Sequence, residues 1–233
     1  TAWDENDILS RVKKTNIRGN LKVAFELSAD GAYVHTEGTS APTEESLTFG
    51  IVTMVPANVK KWIRISDEAI AMGGAALVSY VYDELMKRII EKLEELVVTD
   101  IATAKTTADA DEASVANITE APSLTTVATA FSKLCGEARN IVIIMNRGTY
   151  ADFIAAQAAG NFAFDPFRGF PVIYTNALKA YGSASATDPY MIVGDLSGEQ
   201  VNYPEGEGIA IKCDDVSEAE KDLVKIVGRR YRT

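Results

Sequence analysis

An α+β fold is predicted by three stretches of this 233-residue chain. One is a helix as long as a small domain is wide, one is a hairpin too poor in apolar residues to bury itself, and one is a run in which helices and short strands alternate. The helix spans Ala75 to Val98. Leu77, Val81, Leu85, Ile89, Leu93 and Val97 form an apolar stripe that Tyr82, Met86, Ile90 and Leu96 widen, while Asp83, Glu84, Lys87, Arg88, Glu91, Lys92, Glu94 and Glu95 take the other side. Charges interrupt the run too often for lipid, and Asp83 with Lys87 and Glu84 with Arg88 have the four-residue spacing of a solvated helical face. At about 1.5 Å per residue the helix should be roughly 36 Å long.

Composition limits the functions open to such a chain. With 47% hydrophobic residues it can bury a substantial core, as one large domain or two lobes. A net charge of -10 and a pI near 4.7 argue against sequence reading of nucleic acid, though not against enclosing it. Cys135 and Cys213 have no CxxC spacing, so two buried free thiols in a reducing compartment are expected and neither a disulfide framework nor a zinc knuckle is. No signal peptide or spanning segment is seen, which favours the cytoplasm, and a start at Thr1 without methionine reads as processing, trimming or a partial chain.

In chain order, Thr1 to Asn20 is polar, with only Ile8, Leu9, Val12 and Ile17 able to pack, and is expected to be an arm that a neighbour must order. Leu21 to Leu27 alternates, Asp30-Gly31 signals a turn, and Leu47 to Val52 returns, which makes a long hairpin. Its middle, His35 to Ser46, cannot bury itself and should lie on something else. Asn58 to Ile65 is a strand, Ser66 caps a short helix from Asp67 to Met72, and Gly73-Gly74 breaks it before the long helix. Thr106 to Asn117 reads as a surface excursion. Ser123 to Ala138 has helical spacing, Asn140 to Met145 is a buried strand, and Thr149 to Ala159 is a helix. Short strands follow at Phe170 to Tyr174, Tyr190 to Val193 and Gly208 to Lys212, so that Thr125 to Asp214 is expected to form an α/β lobe. Lys221 to Arg230 should be a strand returning to the first lobe.

Residues that carry chemistry are scarce. His35 is the only histidine and lies in the hairpin, far from a positioned nucleophile; an inert surface histidine is the preferred reading. Asp109, Asp111 and Glu112 cluster without EF-hand spacing, so no metal site is expected, and no cofactor. Gly194 to Gly198 follows a strand but lacks the lysine and helix of a phosphate loop, and reads as a turn. Trp62, Phe162, Phe164 and Phe167, without interleaved basic residues, are expected to be packing groups rather than base-stacking platforms.

The hairpin segment EGTSAPTEESLTF (Glu37 to Phe49), then VKKWIRISDEAI (Val59 to Ile70) and the long helix, resemble the major capsid protein of tailed bacteriophages, the Hong Kong ninety-seven fold. NIVIIMNRGTYADFIA (Asn140 to Ala155), GFPVIYTNAL (Gly169 to Leu178) and MIVGDLSGEQV (Met191 to Val201) follow in the same order as in that family. The resemblance covers nearly the whole chain. It implies an N-terminal arm at 1–20, an extended loop at 21–57, a peripheral lobe with the long helix as its spine at 58–122, an axial lobe at 123–215 and a return strand at 216–233.

Under that resemblance the chain is a structural protein, not an enzyme, that self-assembles into hexamers and pentamers of an icosahedral head in the host cytoplasm. The head encloses double-stranded DNA without gripping its sequence, an acidic inner surface leaving the DNA mobile. Portal, scaffold or cement proteins are further partners, and no membrane is involved. Assembly residues are then expected in the extended loop (Tyr33, Glu37, Pro42, Glu44, Glu45) and in the axial loop (Phe162, Phe164, Phe167, Arg168), with Leu77, Val81, Leu85, Ile89 and Leu93 packing the spine helix. Some relatives cross-link through a lysine in the extended loop, but no lysine lies between Lys22 and Lys60 here. Two rivals stand beside this reading: an encapsulin-type compartment of the same fold, and a hydrolase using Cys135 as nucleophile, which would need an exposed thiol of low pKa.

Overall fold

The computed structural model describes residues 7–29, 47–107, 118–134, 136, 138–160, 165–185, 188–206 and 208–233, with the backbone alone at 25–29, 47, 48 and 103–107. The elements in order are α1 (Asp7–Arg11), β1 (Lys13–Thr15), β2 (Leu21–Ala29), β3 (Leu47–Met54), β4 (Ala57–Ser66), α2 (Asp67–Thr107), α3 (Thr126–Ser132), β5 (Ile141–Met145), α4 (Arg147–Ala159), β6 (Val172–Tyr174), β7 (Met191–Asp195), β8 (Gln200–Asn202), β9 (Ala210–Asp214) and β10 (Leu223–Arg232).

Helix α2 is the longest element. Ser66 Oγ accepts a hydrogen bond from the Ala69 N–H at 3.2 Å and so caps its start. Gly74, at φ 57° and ψ −153°, interrupts the helical path in a backbone region that glycine alone enters without strain. Beyond Val98 the helix runs on to Thr107, past the end of the predicted helix, because Ile101 keeps the apolar period and rests against the core. Along the stripe Val81, Leu85, Ile89 and Leu93 are buried and Leu77 is partly covered.

That stripe lies on an antiparallel sheet in the order β4-β10-β9. Successive side chains alternate faces, and Ile63 on β4, Ile211 on β9 and Ile226 on β10 turn toward the helix. Gly228 sits in the same phase: a Cβ there would overlap Leu85 Cδ2 and stand 2.9 Å from Ile89 Cδ1, so its missing side chain is what lets helix and sheet meet. Arg230 and Arg232 continue the phase and are buried too. The Arg230 guanidinium lies 3.9 Å above the Tyr203 ring, and Arg232 forms an ion pair with Asp100 of α2.

A second sheet, β6-β5-β7, has β5 at its centre, parallel to β6 and antiparallel to β7. Val142 and Ile144 of β5 join the core that holds Leu93, Val97 and Val98, while Ile143 and Met145 face a second core with Val127 of α3, Phe153 of α4 and Phe167. Burial on both faces explains why Ile141 to Met145 is a continuous apolar run.

Several expectations are corrected. The segment 7–15 is not an arm awaiting a neighbour: Ile8, Leu9 and Val12 are buried in the chain's own core, and β1 pairs in parallel with β8. Three apolar residues are enough once a helix and a strand edge offer them a surface. Asn202, fully buried, secures that junction by accepting from the Ile17 N–H (2.8 Å) and donating to the Ile17 carbonyl (2.9 Å). Strand β9 lies in the range assigned to the α/β lobe, yet it pairs with β10 under the long helix, where Ile211 can be covered. Helix α3 is only seven residues long, since a poor helix former, Gly136, follows closely. Cys213, expected to be buried, is exposed on the edge strand β9 with the Tyr82 hydroxyl 3.0 Å from its Sγ. Cys135, His35, Asp109, Asp111 and Glu112 lie outside the described residues.

Candidate assembly surfaces

Strands β2 and β3 form a two-stranded antiparallel ribbon that no further strand extends among the described residues. Val23 pairs with Val52 and Ala24 with Ile51. Alternation puts Phe49 and Ile51 on one face and Val52 on the other, and all three are exposed, Phe49 by 62% and Ile51 by 68%. Val55 just beyond is exposed as well. Two-stranded ribbons are marginal in water alone, and this one shows apolar side chains on both faces. The predicted loop residues Tyr33, Glu37, Pro42, Glu44 and Glu45 lie outside the described residues.

Around the Gly74 break the helix also stands clear of the core: Met72 is 83% exposed and Tyr80 is exposed one and a half turns on. At the other end of the molecule, the predicted axial cluster divides. Phe167, expected to meet a neighbour, is buried in its own core, stacked on Tyr150 at 5.5 Å and edge-on to Phe153 at 5.3 Å. Packing on α4 satisfies it. Arg168 beside it is exposed in a left-handed conformation (φ 50°), within a turn where Asp165 accepts from the Phe167 and Gly169 N–H groups. Phe162 and Phe164 lie outside the described residues.

The open face of β4-β10-β9, away from α2, was not legible as a surface. Trp62 stands on it, 48% exposed rather than packed, with the Arg64 guanidinium 4.7 Å and the Lys225 ammonium 5.2 Å from its ring centre. Lys60 and Arg64 flank it two residues away on the same strand, and Lys225 reaches it across the pairing with β10. The expectation of no interleaved bases thus fails, because period-2 alternation and cross-strand neighbours gather cations that the linear sequence disperses. Arg64 also pairs with Glu218 at 2.7 Å.

Elsewhere the ionisable groups do structural work. Asp195 accepts hydrogen bonds from the backbone N–H groups of Ser197 (2.9 Å), Arg139 and Asn140 (3.0 Å each), which hold its carboxyl well below the usual carboxylate range. It closes the turn from β7 and ties down the entry to β5. Among the described residues no three His, Cys, Asp or Glu side chains gather as a metal site, and no helix is long and apolar enough to cross a membrane.

Two lobes built on one long helix, a two-stranded ribbon left uncovered and no gathered chemistry suit a shell subunit better than a catalyst. The model of the phage capsid family matches residues 3–231. The chain belongs to that family. Solved structures carry the same fold: the capsid of an empty GTA particle (TM-score 0.71, 16% identity, 97% of this chain and 84% of that one), Mycobacterium phage Cain (0.65, 18%, 97% and 82%) and the capsid of the Cyanophage P-SCSP1u (0.61, 11%, 95% and 81%). No curated protein matches it at a significant level. As a major capsid protein it is a structural, self-assembling component of the virion, not an enzyme, and neither the compartment nor the hydrolase reading is favoured.

Proposed function

We propose that this capsid protein forms the hexamers and pentamers of an icosahedral phage head, assembled in the host cytoplasm around double-stranded DNA that it encloses without reading. The observation that carries this is the ribbon β2-β3: Phe49, Ile51, Val52 and Val55 are apolar, exposed and uncovered by any strand of their own chain among those described. A neighbouring subunit would cover them, and many modest contacts repeated by symmetry would close a shell. Tyr33, Glu37, Pro42, Glu44 and Glu45 would continue that contact, and Phe162, Phe164 and Arg168 would meet their counterparts near the capsomer axis. Scaffold, portal or cement proteins would act on the same subunits.

Sedimentation and electron microscopy of the purified protein test this reading. Closed shells with sixfold and fivefold capsomers are expected. A compact monomer at every concentration and pH, with a protease-resistant hairpin, would overturn it. Phe164→Ala should lower capsomer yield more than subunit stability, and unchanged yield would remove that residue from the contact.

A further inference from the structure

We propose that the open face of β4-β10-β9 is the seat for the acidic hairpin, residues 23–59, of a second copy of this chain, with Trp62 as its apolar anchor. The proposal rests on the shell reading above and adds the surface and the force. Lys60 and Arg64 of β4, Lys225 and Arg229 of β10 and Lys212 of β9 share this face, by the register that sets Trp62 opposite Val227 and Val227 opposite Lys212. Against these five cations the face holds Asp214, opposite Lys225, and Glu218, which takes Arg64 as its ion-pair partner. An excess of positive charge on one face of a protein of net charge -10 is an asymmetry that needs a partner.

The hairpin has the opposite character. From Val23 to Val59 the sequence holds Glu26, Asp30, Glu37, Glu44 and Glu45 and not one lysine or arginine. Its stem exposes Ile51 and Val52, so it offers negative charge and apolar surface together. The face asks for both, since the half-exposed Trp62 ring sits among the cations. A nucleic-acid backbone would answer the charge, but it would leave the stem uncovered and would meet the repulsion of an acidic protein. Charge complementarity of this kind steers encounter and sets register, while the buried aromatic holds the contact.

Two charge reversals test the seat. In the face variant Lys60→Glu and Lys225→Glu make both face and hairpin negative, and in the hairpin variant Glu44→Lys and Glu45→Lys make both more positive. Each alone should fold, by circular dichroism, yet assemble roughly tenfold less than wild type, a loss equivalent to about 1.4 kcal/mol per contact. Mixed one to one, the two should co-assemble, because every contact between unlike variants is then attractive. No recovery on mixing would overturn the proposal, as would full assembly by either variant alone. In a Trp3→Phe background Trp62 is the sole tryptophan, and its quenching by iodide should fall at least about twofold on assembly, since interface cores exclude solvent. Unchanged quenching in intact particles would remove Trp62 from the contact and leave the shell reading standing. Protection of Trp62 in dissociated subunits by a short DNA duplex would assign the face to nucleic acid instead. A wild-type protein that formed no particles would overturn the shell reading itself and the seat with it.

Discussion

Gly228 owes its place to the size of its side chain, not to its backbone. Leu85 is wholly buried, so it cannot swing aside for a methyl group on β10 without displacing other core atoms. Gly228→Ala should therefore destabilise the subunit by about 1–3 kcal/mol and lower its melting temperature by roughly 2–10 °C in calorimetry; an unchanged melting point would mean the helix lifts from the sheet at no cost. Asp195 supports a pH argument. Its folded carboxyl titrates below the ordinary range, so its contribution is fully present above the unfolded pKa, about 3.9, and is lost as pH falls through the depressed folded value. Asp195→Ala should cost stability at neutral pH, and its deficit against wild type in urea titrations should narrow only below about pH 4. A deficit that was constant to pH 3 would show that the charge plays no part.

At the scale of elements, the long helix and the ribbon behave in opposite ways. The helix buries its stripe on its own sheet, and its exposed side is laced by Arg88 with Glu84 and Glu91 and by Lys92 with Glu95, pairs each worth only a few tenths of a kcal/mol. The ribbon keeps its apolar residues in water. Ile51→Ser with Val52→Ser should hence leave subunit melting within about 0.5 kcal/mol of wild type, as exposed sites do, while particle yield in a sucrose gradient falls severalfold. Equal yields would place the ribbon outside every subunit contact.

For the whole molecule, the lysine-free hairpin has a covalent consequence. An isopeptide link needs an amine in a desolvated, carboxylate-assisted contact, and Lys22, Lys60 and Lys61 stand only at the hairpin's base. Lys60 is exposed on the basic face. Mature particles boiled in detergent should release one band at the monomer mass, and a ladder of multimers that survives reductant would count against this. Shell integrity then comes from non-covalent contacts alone, so particles should dissociate in denaturant without proteolysis.

Periodicity alone was enough to place the spine helix, its break at Gly73-Gly74, the hairpin strands and the buried strand after Asn140, because each depends on neighbours within a few residues and on one buried face. The family likeness was also legible, carried by ordered segments spread along the chain. Other features needed partners distant in sequence. The docking of Ile8, Leu9 and Val12 depends on surfaces supplied by the long helix and Leu196, and the placing of β9 depends on β10 having an open edge. Burial of Phe167 depends on α4, and the cations around Trp62 come together only when β4, β10 and β9 pair. Local pattern sets which face of an element is apolar; only the three-dimensional arrangement decides which face meets it, and therefore which faces remain for another subunit.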